Sequence, residues 1–475
     1  MSSTPADKEQ TNDTGRVEGM ILLAITLFVL IFEWTGSTAI RYPAAIGVVL
    51  YIAISTPHVS WSRRIFILIA VALTAYAYVT TDNWFQITNS ALNSSAFIAA
   101  FFTALTSLRS ASATSPSIEK CGHFLAEQPP GRRYLALTTG GHLFALVLNY
   151  GAISLLGNLA EASARREPNE EIRLHRLRRM LLAIQRGFVS TLPWSPLTFA
   201  VAISTSLVPG ASWAGALGFC LVSAFILAGL GWAMDSIFKP RLTVPAPQRQ
   251  KPQGTWANLL PLLTLLSLLV IVIGTLHIVT GIRAVGVVML VVPLVSICWI
   301  AIQNLDEAPL DQTKSQLKQY VFSDLSGYRS ELVLLTMAGF IGTIGAKLVG
   351  PLVAGSHLDI TAVPGWVILV SLVWLIPLAG QCGMNPILSV SLIAPLLPTS
   401  TQMGVSPAAL VTALTAGWAL SGASSPFTAT TMLVGNIARV SAWRVGLKWN
   451  GAYSLVCAVA LSLWVAFVGL LLGHP

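Results

Sequence analysis

The sequence predicts an all-α polytopic membrane protein, and three observations carry that prediction. Of its 475 residues 54% are hydrophobic and only 10% charged, a mean hydropathy of +0.71 that is far too apolar for a water-soluble fold. Apolar stretches of 17 or more residues recur along the chain, each near the ~20 residues a spanning helix needs, with no alternating ten-residue pattern of a β-barrel. Two of these stretches are broken by nearly the same tetrapeptide 230 residues apart, Ser195-Pro196-Leu197-Thr198 and Ser425-Pro426-Phe427-Thr428. Proline removes a backbone donor, and freed backbone is tolerated at membrane depth only against protein or a polar cavity. Interrupted helices in corresponding positions of two halves are therefore the best sequence pointer to a site.

Residues 1–18 are polar, of mixed charge, and expected to be a disordered cytoplasmic N-terminus. The first apolar run follows with no convincing small-residue cleavage site, so it reads as a retained helix and not a cleaved signal. Spans are expected at about 19–36, 42–56, 64–81 and 85–108. The apolar stretch 135–160 is interrupted by Leu148-Asn149-Tyr150-Gly151, which suits a plain span or a re-entrant hairpin whose tip stops partway. Residues 161–186 hold seven arginines, with Leu174, Leu177, Leu181 and Ile184 at helical spacing, and read as an amphipathic helix lying on the cytoplasmic membrane surface. Spans at about 187–209 and 211–235 then meet a basic, proline-rich linker, 236–256, taken as the boundary between a first repeat (19–235) and a second (257–472).

The second half offers spans at 257–277, 283–303 and 332–354. Its run 364–398 is cut by Gln381-Cys382-Gly383-Met384-Asn385-Pro386, a second candidate hairpin. The broken stretch 406–438 carries the hydroxyl-rich octet Ser421 to Thr428, and a last span covers 447–472. The total is about 11 transmembrane segments plus two re-entrant hairpins.

Orientation provides a test. With a cytoplasmic N-terminus and opposed hairpins, the first entering from the cytoplasm and the second from outside, all 28 basic residues but Arg41, Arg283 and Lys347 fall on the cytoplasmic side. That is a strong positive-inside bias. It places Arg176 inside, the loops 355–363 and 399–405 outside, and the C-terminus on the periplasmic or external face of what would be a bacterial inner membrane. The net charge of +9 follows from these basic loops, so nucleic acid is not an expected partner. Five cysteines without a CxxC pair indicate neither a disulfide framework nor a zinc site. No nucleotide-binding loop, serine-hydrolase elbow or HExxH appears, so enzyme chemistry is not expected.

A tip at Asn149, a break at Ser195-Pro196, a second tip at Asn385 and a second break at Ser425-Pro426 resemble the layout of the ion transporter superfamily. That group includes divalent-anion/sodium symporters, arsenite-pump-like permeases and the large permeases of TRAP transporters. The resemblance implies two inverted-topology repeats, a site between hairpin tips and broken helices, and an elevator-type motion of a transport domain against a scaffold. Symporters of this kind usually show Ser-Asn-Thr at each tip, where this chain keeps only the asparagine in Leu148-Asn149-Tyr150 and Met384-Asn385-Pro386.

Each candidate has a plainer reading. Asn149 and Asn385, with Gly151, Gly383 and Pro386 beside them, offer amide groups to a cation or a substrate oxygen, or they simply cap and pack helices. Ser195, Pro196, Thr198, Ser424, Ser425, Pro426 and Thr428 line a cavity, or their hydroxyls bond back to the preceding turn. Lys347 is a possible charge partner for an anion, or it snorkels to the interface. His142 relays protons, or it is a packed histidine. With hydroxyls, amides and helix ends but few carboxylates, the site suits a small carboxylate-type anion, with sodium favoured over protons as coupling cation. A membrane scaffold with degenerate sites and an intramembrane enzyme are the alternatives. A homodimer is also considered.

Overall fold

Only helices satisfy a lipid-embedded backbone within one segment, and the apolar runs fold accordingly. The computed structural model describes residues 5–113, 115–239, 254–304, 309–354 and 362–471, and all their regular structure is helical. In chain order the helices are α1 (Pro5–Thr35), α2 (Arg41–Ser55), α3 (Trp61–Thr80), α4 (Trp84–Ala113), α5 (Pro116–Ala126), α6 (Pro130–Leu148) and α7 (Gly151–Arg165). Next come α8 (Glu170–Val189), α9 (Phe199–Leu207), α10 (Trp213–Ile237), α11 (Leu260–Thr280), α12 (Ala284–Gln303), α13 (Pro309–Gln319), α14 (Leu325–Gly327) and α15 (Arg329–Ala354). The remainder are α16 (Gly365–Gln381), α17 (Pro386–Ile393), α18 (Pro407–Ser424), α19 (Ala429–Ala438) and α20 (Gly451–Leu471). Among the described residues, nine helices are long and apolar enough to cross a membrane. The other two expected spans, 187–209 and 406–438, are the interrupted pairs α8/α9 and α18/α19. The chain is a polytopic membrane protein.

The helices form two compact units, each drawn from both halves of the sequence. The first takes Met1–Thr114, Leu269–Leu358 and Ser391–Leu396. Its middle is α4 against α15, where Ser95 Oγ donates to the Thr336 carbonyl at 2.8 Å and Gly339 admits Ile98. Helix α3 buries only Ala70 and Ala77 and leaves Leu68, Val71, Tyr78 and Val79 exposed, as a lipid-facing helix does.

The first unit also corrects the expectation for the N-terminus. Helix α1 starts at Pro5, and polar residues among 13–18 continue it. The reason is Glu18, fully buried, which takes a forked pair of bonds from Arg329 Nε (2.6 Å) and Nη2 (2.7 Å) and a third from Ser55 Oγ (2.9 Å). A buried carboxylate held this way fixes the helix that carries it.

The second unit takes Ser115–Leu268, Asp359–Val390 and Leu397–Pro475. At its centre are two helices buried on all sides, α8 from Met180 to Val189 and α18 from Ala409 to Ser424. The first of these is a second correction. Residues 161–186 do not form one amphipathic helix; α7 ends at Arg165, and α8 begins at Glu170 and is buried from Met180 on, as the first half of a broken helix. Its arginines crowd the first half, where Arg179 pairs with Asp235 at 2.7 Å, while the second half is apolar apart from Gln185 and Arg186. Most of the linker 236–256 (residues 240–253) and of the loop 355–363 (residues 355–361) lies outside the described residues.

Removing one partner of a buried ion pair strands the other charge. Arg329→Met is expected to destabilise the protein by about 3–5 kcal/mol, and the double variant Glu18→Gln/Arg329→Met to recover most of it. Thermal unfolding in detergent measures both.

Candidate functional site: two tips and two breaks

All of the candidate residues except Lys347 belong to the second unit. Lys347 is exposed on α15, in the first unit.

The two breaks share the same pair of serine and threonine bonds. After α8, Ser195 Oγ accepts from the Leu197 N–H at 3.2 Å, and Thr198 Oγ1 donates to the Ser195 carbonyl at 2.8 Å. After α18, Ser425 Oγ accepts from the Phe427 N–H at 3.2 Å, and Thr428 Oγ1 donates to the Ser425 carbonyl at 2.9 Å. Pro196 and Pro426 sit inside these turns, where the missing N–H is not needed. Thr198 and Thr428 stand at the N-caps of α9 and α19, both extended, yet neither hydroxyl caps its helix because each points back to a carbonyl. The first N–H groups of the two half-helices are therefore left without a side-chain cap, a place of partial positive charge.

Each break has a hairpin against it. In the first, α7 folds back along α6, so that Leu156 Cδ1 stands 3.8 Å from where a Cβ on Gly140 would be. Helix α6 is seated on α8 through close backbone contact: a Cβ on Gly187 would stand 2.2 Å from the Thr138 carbonyl oxygen. Tyr150 at the tip stacks on Phe188 with centroids 5.2 Å apart. In the second, Gly365 at the base of α16 abuts the Met403 carbonyl where the chain returns, and the tip carries Cys382 and Gly383, both exposed. The arm ending at that tip is bonded to the break: Ser425 Oγ donates to the Gly380 carbonyl at 2.6 Å, and Gln381 Nε2 to Ser424 Oγ at 3.3 Å. The helices leading into the breaks meet as well, with Val189 and Leu192 against Gly422.

The two tips differ. Asn385 accepts from the Ile387 N–H with its side-chain oxygen at 2.9 Å, capping the short α17 that starts at Pro386, while the backbone reversal is made by Gly383 at φ +91°. In the first tip no glycine does this work. Asn149 itself adopts φ +50°, ψ −131°, a conformation costly for a residue with a Cβ, and Gly151 only opens the next helix. The Asn149 amide is half-buried and bonds to no described residue. No hydrogen bond joins Asn149 to Asn385.

His142 Nδ1 lies 2.7 Å from Ser190 Oγ, and its ring stacks on Trp194 at 5.7 Å. A serine beside a histidine invites a nucleophile-base reading. Here Ser190 is fully buried and its hydroxyl donates to the Gly187 carbonyl at 2.7 Å, so the contact joins hairpin to helix. Sequence reasoning gave no site role to Arg186 or Gly380, and named Ser421 only as the start of the octet. Arg186 is hidden among the arginines of α8, while the neighbours of the other two are set by tertiary packing alone.

Replacing strained Asn149 by glycine relieves its backbone. Asn149→Gly is expected to stabilise the protein by about 1 kcal/mol or more, read as a raised unfolding temperature in detergent.

No family model and no curated protein matches the sequence. Solved structures do match in fold. One is the YdaH transporter of Alcanivorax borkumensis, described as having an unusual topology, with a TM-score of 0.56 at 15% identity over 85% of this chain and 98% of that one. Another is MtrF of Neisseria gonorrhoeae, described as illuminating a class of antimetabolite efflux pumps, with a TM-score of 0.55 at 13% identity over 87% of this chain and 96% of that one. At these identities the likeness establishes the fold: the chain has, nearly end to end, the helical architecture of these two proteins.

Proposed function

We propose that the chain is a secondary active transporter of a small anionic, carboxylate-type solute, coupled to a sodium or proton gradient. The observation that carries this reading is that both hairpin tips and both breaks fall within one compact unit. The fold shared with YdaH and MtrF, a transporter and an efflux pump, supports it. The second unit is then the transport domain of an elevator and the first its scaffold, in the manner of the ion transporter superfamily. Uncapped N–H groups at α9 and α19 favour an anion, and hydroxyl and carbonyl oxygens around the breaks suit a hard cation such as sodium. Direction is open to either import or export, as the description of MtrF includes efflux. In the same proposal the chain sits in a bacterial inner membrane with its N-terminus cytoplasmic, as a monomer or a homodimer.

The self-contained bonding of the break hydroxyls also favours one other reading, a membrane scaffold whose breaks are purely architectural. Uptake into proteoliposomes over a panel of labelled organic anions with cationic and neutral solutes beside them, with sodium and proton gradients imposed in turn, separates the two. Saturable, gradient-driven accumulation of an anion by the wild type, lost in Asn149→Ala with the unfolding temperature preserved, is expected of a transporter. Accumulation of none of the panel, or only of cationic or neutral solutes, overturns the reading. Cysteine labelling in intact cells tests the orientation: a cysteine at Arg176 is expected to be shielded from an impermeant maleimide and one at Thr401 to react.

A further inference from the structure

Among its described residues, the second unit buries one positive charge with no carboxylate bonded to it. Arg186, in the last turn of α8, is 6% exposed. Its Nε donates to Asn450 Oδ1 at 3.1 Å, its Nη1 to the Tyr134 hydroxyl at 3.0 Å and more weakly to the Gly231 carbonyl at 3.5 Å, and its plane lies 4.2 Å over the Tyr453 ring. Every one of these partners is neutral. Gly231 makes the room: a Cβ there would stand 3.2 Å from Arg186 Cδ and 3.4 Å from the Tyr134 hydroxyl. Asn450 is itself held, donating to Gln185 Oε1 at 2.9 Å. Nearby Asp235 is occupied by Arg179, and no described carboxylate bonds to Arg186. Its Nη2, with two of the five N–H donors of a guanidinium, donates to no described residue.

Burying a cation without a counter-ion is costly, and the nearby carbonyl end of α8 and the Tyr453 ring offset only part of that. The cradle lies next to the site. Arg186 is one helical turn before Ser190, where the first break begins, and Asn450 follows a π-helical turn, Arg444–Trp449, whose Gly446 sits directly against the Ser424 carbonyl at the second break.

We propose that Arg186 is the anion-selecting group of the transport site, its free Nη2 edge taking a carboxylate oxygen of the solute. The inference rests on the transporter reading above and names the charge that reading lacks, because Lys347 belongs to the other unit. A fixed guanidinium with two unused donors discriminates a carboxylate from a neutral amide of the same shape.

The test uses full-length protein in proteoliposomes as wild type, Arg186→Lys and Arg186→Met, with labelled benzoate, succinate, glutamate and citrate, and benzamide and succinamide as neutral competitors. For whichever anion the wild type accumulates, Arg186→Met is expected to raise KM at least about tenfold and to abolish the preference for acid over amide. Arg186→Lys keeps the charge and loses the fork, so a higher KM with the preference retained is expected. A wild-type KM and preference in Arg186→Met overturns the proposal, as does a fall in Vmax alone, the mark of a merely structural role. Should Arg186→Met not fold, a wild-type KM in Arg186→Lys overturns it instead. If the wild type accumulates no anion at all, the transporter reading fails and takes this one with it; if it does and the variants behave as wild type, only this one fails.

Discussion

The structure depends on one constraint: a helix broken inside an apolar unit must satisfy its freed backbone groups from its own residues, because lipid supplies no partners. Both breaks meet it with the same device, a serine that accepts from the N–H two residues on and a threonine that donates back to the serine carbonyl. Thr431 adds a second hydroxyl to the Ser425 carbonyl at 2.7 Å, so the second break is the more heavily bonded. Breaks that are satisfied internally are stiff, and stiffness is what allows two half-helices to hold their N-termini in fixed positions. The bonding that looks merely local is thus a condition for any site between them, since preorganised dipoles cost no rearrangement when a ligand arrives.

The two units bury charge in opposite ways. In the first, Glu18 and Arg329 neutralise each other and, with Ser55, use their capacity on holding α1, α2 and α15 together. In the second, the deepest charge is left uncompensated among neutral oxygens and an aromatic face. An ion pair stiffens, while an isolated charge is available to something else.

Much of this was legible in the sequence, and for definite reasons. Proline and glycine within apolar runs mark breaks because few other residues interrupt a helix, so Ser195-Pro196, Ser425-Pro426 and both tips stand where the sequence places them. The expectations for residues 1–18 and 161–186 went astray because both took charge as a sign of exposure. Glu18 is inside because Arg329, 311 residues away, meets it there. Helix α8 is buried from Met180 on because only one of its arginines, Arg186, lies in that half; an average over 161–186 merges a polar entrance with a buried core. Composition registers charge but not the partner that allows it to be buried.

The asymmetry of the tips is the last consequence of the same physics. In the second hairpin the reversal is assigned to Gly383 and the asparagine caps α17, so conformation and bonding are handled by separate residues and no strain remains. In the first, Asn149 takes the reversal on itself and leaves its amide unbonded. Glycine would serve that backbone better, which means the side chain, not the turn, accounts for the residue. The same logic applies to Arg186, where a neutral side chain of like length would fill the cradle without the cost of charge. Strain at the first tip and an unanswered charge beside the first break thus both fall on the α6–α8 side of the second unit, although the two breaks share the same serine–threonine device.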